Sequence, residues 1–94
     1  MATFAARRLT EMARNTATIV GIELLAATQG LDFHLPLRSS APLRAAHDAV
    51  RSAIPFYSRD RLMAPDIAWA TNWVLSGEAH HYLSGFLPSI EEAA

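Results

Sequence analysis

The chain has 94 residues, 51% hydrophobic and 18% charged, with a net charge of −1 and no cysteine. That length holds one small domain, and a near-neutral charge supplies no basic field for nucleic acid or an anionic membrane. The absent cysteines exclude disulfides, thiolate metal sites and a cysteine nucleophile, and they fit a cytoplasmic setting.

Met1 to Asp32 is predicted to be one long helix. Ala5, Leu9, Met12, Thr16, Val20, Leu24, Ala27 and Leu31 recur every three or four residues, the helical period. Arg7, Arg8, Glu11 and Arg14 occupy the other face and break up any signal-peptide core. From Ile19 to Leu31 the pattern becomes apolar nearly all round, and a helix of that kind must be enclosed. The run is shorter than the roughly 20 residues that span a bilayer, and Glu23 interrupts it, so no membrane span is expected. Gly21 costs about 1 kcal/mol against alanine in a helix interior, and close approach of another helix would justify it. The helix stops at Gly30 or Asp32.

Phe33 to Ser40 is a connector, because Pro36 forbids a helix through it. Ser39 or Ser40 caps a second helix over Ala41–Ala53, with Pro42 in its first turn. Leu43, Ala46, His47, Val50 and Ile54 form its apolar stripe, while Arg44, Asp48 and Arg51 face outward and pair in sequence. Pro55 ends it. A polar loop follows, with Phe56-Tyr57-Ser58-Arg59-Asp60-Arg61. Pro65 and Asp66 open a third helix, with Ala64 at the cap position. Its stripe is Ile67, Ala70, Trp73 and Val74, and Ser76-Gly77 stops it. Glu78 to Ala94 is a tail, in which Tyr82 to Leu87 pack as a short turn. The fold class is all-α: one long helix, then two shorter ones over residues 1–77, then the tail.

A chain of this size buries only about 60–65% of its unfolded surface. Yet it is more apolar and less charged than an ordinary soluble domain, where about 25% of residues are charged. The long helix therefore needs cover that the rest of the chain cannot supply. All eight basic residues are arginine, which suits paired and interfacial roles and also follows from GC-rich coding.

The chemical candidates are few. His34 and His47 belong to different elements, and the adjacent His80 and His81 point apart, so no metal site is expected. Glu23 has no basic residue three or four positions away. Buried, it needs a partner from another element or subunit; otherwise it takes a solvent-facing slot. Gln29 is placed to hydrogen-bond across a helix interface. Tyr57, Arg59, Asp60 and Arg61 read as interface ion pairs, and Trp69 and Trp73 as helix packing. No catalytic, cofactor-binding or metal-binding residue is assigned.

Several stretches resemble histidine ammonia-lyase, of the aromatic amino acid lyase family. They are Ile22-Glu23-Leu24-Leu25-Ala26-Ala27-Thr28-Gln29-Gly30-Leu31-Asp32-Phe33, then Pro36-Leu37-Arg38-Ser39-Ser40, then Ile54-Pro55-Phe56-Tyr57-Ser58-Arg59-Asp60-Arg61 and Ala64-Pro65-Asp66-Ile67. Met1-Ala2-Thr3-Phe4-Ala5-Ala6-Arg7-Arg8-Leu9 is similar too. The resemblance runs from Met1 to about Gly77 and places the chain in the C-terminal fifth of such a lyase, starting at an internal methionine.

The resemblance implies a parent that eliminates ammonia from L-histidine to give urocanate in cytoplasmic histidine degradation. It also implies a homotetramer built on a bundle of long helices. The family's cofactor is a methylidene-imidazolone cyclised from Ala-Ser-Gly, and that tripeptide does not occur in the sequence. The family's Gln-Glu-Asp-His segment is absent as well. The expectation is an all-α fragment that does not catalyse alone and associates with the rest of a lyase. Two alternatives are a complementing subunit of a split lyase and a helical module that self-associates through Val20, Leu24, Ala27 and Leu31.

Overall fold

The computed structural model describes residues 2–85. Four helices carry them: α1 (Ala2–Phe33), α2 (Ala41–Ala53), α3 (Ala64–Ser76) and the single turn α4 (His80–Leu83). There is no strand among the described residues. The all-α expectation and the first three helices match to within about a residue at each end. The predicted packing of Tyr82 to Leu87 falls partly outside the described residues, since 86 and 87 lie beyond them.

α1 sets the shape. Its 32 residues make a rod about 48 Å long. The molecule measures 52 × 38 × 17 Å with a radius of gyration of 15.9 Å, against about 13 Å for a compact domain of 100 residues. α3 packs along α1, while α2 touches both α1 and α4. The core is small: Leu25, Val50, Ile54 and Ala70, with Leu24, Tyr57, Ile67 and Trp69 against it. Trp69 and Trp73 stack at 5.8 Å, and Trp73 meets Tyr82 at 6.3 Å, which ties α4 to α3. No helix is long and apolar enough to cross a membrane among the described residues.

The buried face of α1 is not the predicted one. Ala17, Gly21, Leu25 and Thr28 are buried, whereas Leu9, Met12 and Val20 stay exposed. The reason is separation. α3 lies so close at Gly21 that a Cβ there would sit 3.1 Å from the Thr71 backbone nitrogen and 3.2 Å from Ala70. Only a face of small residues admits that approach, so α3 takes it and leaves the bulkier stripe uncovered. Thr28 and Thr71 pass into the interface because each hydroxyl donates to the carbonyl four residues back, of Leu24 and Ile67.

Helix ends differ in detail. α1 runs through Gly30 to Phe33. Ser40 occupies the cap position of α2 but its side chain makes no capping bond; its carbonyl accepts from the Arg44 amide instead. α3 starts at Ala64, which puts Met63, not Ala64, at the cap. Neither Ser40 nor Met63 makes a side-chain capping bond, and Pro42 and Pro65 reduce the orphan donors of their first turns by lacking an N–H. Gly77 ends α3 with φ 81°, a left-handed stop that needs glycine.

Candidate functional site

The densest polar cluster joins the C-terminal end of α1 to α2. Asp32 stands in the last turn of α1, at the negative end of the helix dipole, where a carboxylate is disfavoured by about 0.3–1 kcal/mol. Arg51 reverses that balance. Its Nε and Nη2 reach Asp32 Oδ2 at 2.8 and 2.7 Å, and Nη1 donates to the Ile54 carbonyl at 3.0 Å, capping its own helix. The Nε2 of His47, one turn earlier on α2, lies 2.8 Å from Asp32 Oδ1. The three side chains are only 14–19% exposed. Arg51 therefore does not face outward, and its partner is Asp32, not Asp48. A long-range pair to α1 wins because it shelters both charges, whereas Asp48 is 80% exposed and touches only His47 Nδ1 at 3.3 Å.

Gln29 extends the clasp. Its Oε1 accepts from Arg51 Nη2 and from the Tyr57 backbone N–H, both at 3.2 Å, and its Nε2 donates to the Tyr57 carbonyl at 3.1 Å. One amide thus satisfies both main-chain groups of a loop residue. The expected bond from Gln29 across a helix interface is made to Arg51 of α2, and the same amide also holds the Tyr57 loop.

The loop closes on itself. Tyr57 donates its hydroxyl to Asp66 Oδ2 at 2.6 Å. Arg61 lies over the Tyr57 ring at 3.8 Å, reaches the same Asp66 oxygen at 3.2 Å, and donates to the Pro55 carbonyl at 2.8 Å. Tyr57 and Arg61 are thus engaged with each other and with Asp66 inside the chain. Arg59 and Asp60 are exposed and form no ion pair among the described residues. Glu23 is exposed as well and forms no ion pair among the described residues.

Two ionisations are shifted. Burial pushes the Asp32 carboxyl up, but the hydrogen bonds from Arg51 and His47 and their charges outweigh it, holding Asp32 below its ordinary 3.8. Burial, followed by the bond to Asp66, raises Tyr57 above its ordinary 10.0. A depressed acid contributes stability that is complete above its unfolded value and is lost as pH falls through the folded one. Acidification from about pH 5 to about pH 2 is therefore expected to lower the urea midpoint of the helical circular dichroism. Asp32→Asn should flatten that acid limb; an unchanged limb would show that Asp32 carries none of it.

The cluster borders a groove of about 480 Å³ between the end of α1, the connector and α2, with Arg38, Arg44, His47 and Asp48 on its walls. A carboxylate orienting an imidazole is half of a general-base pair. Here the second ring nitrogen faces Asp48, and no hydroxyl or thiol bonds to His47 among the described residues. The arrangement holds two helices together and presents no nucleophile.

The methylidene-imidazolone does not fit these residues. Ser76 sits at the end of α3, with its hydroxyl donating to the Trp73 carbonyl at 2.6 Å and accepting from the Glu78 amide. Gly77 is the left-handed stop, and Leu75 stands where the tripeptide needs alanine. Ser84-Gly85 is likewise preceded by leucine.

Sequence reasoning missed Asp32 and Arg51 as a site. The available signal was a carboxylate in the last turn of a helix, which calls for a cation from elsewhere.

Residues 1–52 match the family model described as aromatic amino acid lyase. Among curated proteins, the chain is similar to histidine ammonia-lyase of Desulfotalea psychrophila, 54% identical over 90 residues. It is 51% identical over 92 residues to that of Psychromonas ingrahamii, and 47% over 90 to that of Shewanella woodyi. These matches cover 95–96% of this chain but 18% of each relative's length. The matched segment takes in all of α1, and the family model extends through most of α2, the two helices that the Asp32–Arg51 clasp joins. The chain therefore belongs to the aromatic amino acid lyase family.

Proposed function

We propose that these 94 residues form part of the helical framework of a histidine ammonia-lyase, the enzyme that converts L-histidine to urocanate and ammonia in histidine degradation. The observation that carries the reading is the match at about half identity along nearly the whole chain to enzymes of which it spans 18%. The uncovered apolar stripe of α1 supports it, since a framework helix needs neighbours from outside its own segment. By itself the chain does not perform the elimination: it has neither the cofactor tripeptide nor a clustered acid, base and nucleophile among its described residues. Its role is to dock on the remainder of a lyase, in the cytoplasm and within a homotetramer.

The purified 94-residue chain is expected to form no urocanate from L-histidine, followed by ultraviolet absorbance. Co-expression with a lyase shortened by the matching segment should restore soluble, active enzyme. Urocanate formation by the chain alone would overturn the inactivity. A shortened lyase that gains neither solubility nor activity would overturn the docking role.

A further inference from the structure

The groove between the end of α1, the connector and α2 has a lining of two kinds. Asp32 and His47 are already bonded in the clasp, and Asp48 faces His47 at 3.3 Å. The rest of the lining is open. Leu35 and Leu37 are 59% and 74% exposed, and Ala41 and Ala45 extend their apolar surface onto α2. Arg38 and Arg44 line the same groove, both exposed, and neither forms an ion pair among the described residues. α2 also has no acidic residue in its first turn and no side-chain cap, so its positive end favours a carboxylate. The occupant that suits this lining is apolar, with two carboxylates next to its apolar part.

The chain itself carries such a segment. After Gly85 the sequence reads Phe86-Leu87-Pro88-Ser89-Ile90-Glu91-Glu92: three large apolar side chains, then two adjacent carboxylates, with no basic residue among them. α4 brings its start to the right helix, because α4 packs on α2 while Tyr82 meets Trp73 at 6.3 Å. α2 has 13 residues and is about 20 Å long. Seven residues beyond Gly85 span up to about 23–25 Å, more than the length of α2 itself.

We infer that this groove is the docking site of the chain's own segment 86–92, with Leu87 and Ile90 against Leu35 and Leu37, and with Glu91 and Glu92 paired to Arg38 and Arg44. The contact is made within one chain. It does not rest on the lyase reading, and it leaves the exposed stripe of α1 through Leu9, Met12 and Val20 to neighbours from outside.

The test is disulfide trapping in the full 94-residue chain, which has no cysteine of its own. L37C with I90C is expected to close on oxidation within one chain at every dilution, read as a faster-migrating monomer on a non-reducing denaturing gel. A5C with I90C, which puts the first cysteine near the far end of α1, is expected to close far more slowly. In the L37C/I90C chain, R38E with R44E is expected to slow closure about tenfold, and so is E91R with E92R. All four reversals together restore opposite charges and are expected to recover the original rate. A disulfide that forms only between chains, which would give the groove to a second copy, overturns the inference. So does closure no faster than that of A5C with I90C, or charge reversals that leave the rate unchanged.

Discussion

Asp32→Ala is expected to remove about 2–3 kcal/mol of stability, read as a lower urea midpoint of the helical signal. The same change at Asp48 is expected to cost under about 0.5 kcal/mol. The two aspartates both touch His47, but they differ in shelter: Asp32 is 14% exposed and Asp48 80%. Removing Asp32 leaves the guanidinium of Arg51 and the Nε2 of His47 facing a gap in a partly dry site. The greater part of the loss is that uncompensated charge, not the net worth of the pair. Arg51→Ala alone is expected to be similarly costly, because it strands Asp32 at the unfavourable end of the α1 dipole. The double replacement Asp32→Leu with Arg51→Met should cost much less than the two single losses added together. Arg51→Lys is not a conservative repair. A single ammonium cannot reach Asp32, Gln29 and the Ile54 carbonyl together, as the fork of guanidinium donors does. Equal effects at Asp32 and Asp48 would show that the clasp is a surface pair of little consequence.

The outline of the fold was legible because local signals agree. Pro36 and Pro55 bracket α2, Pro65 opens α3 and Gly77 closes it, and each acts through backbone geometry that no tertiary contact needs to supply. Which face of α1 is buried was not legible. Hydrophobicity favoured Leu9, Met12 and Val20, while the decisive quantity was side-chain size at Ala17, Gly21 and Thr28, which sets how near α3 can come. Amphipathic pattern alone cannot choose when a helix has two apolar faces. The clasp was illegible for a different reason: Asp32 and Arg51 are 19 residues apart and meet only once the connector has folded back. Local spacing assigned Arg51 to Asp48, three residues away, and a long-range partner in a sheltered place outcompeted it. The family resemblance, by contrast, needed no geometry, since it rests on ordered stretches of sequence.

Gly21 and Gly30 should respond to alanine with opposite signs. Both lie inside α1, so each substitution gains helix propensity, at most about 1 kcal/mol. At Gly30 a Cβ meets nothing within 4 Å, and that gain is expected to appear as added stability. At Gly21 the new atom would lie 3.1–3.2 Å from the backbone of Thr71 and from Ala70. Main-chain atoms of a packed helix cannot swing aside as a side-chain tip can, so α3 as a whole must retreat. Retreat opens the contacts of Ala70 with Leu25, Val50 and Ile54, the whole of the small core. It also stretches the 3.3 Å bond between Thr71 and Thr18. Gly21→Ala is expected to lose about 1 kcal/mol net, and Gly21→Leu about 3 kcal/mol or more, enough to separate α3 from α1. Trp69 and Trp73 lie on α3, so tryptophan fluorescence reports that separation directly. A Gly21→Leu chain that keeps the parent fluorescence and urea midpoint would mean that α3 does not rest on this face of α1.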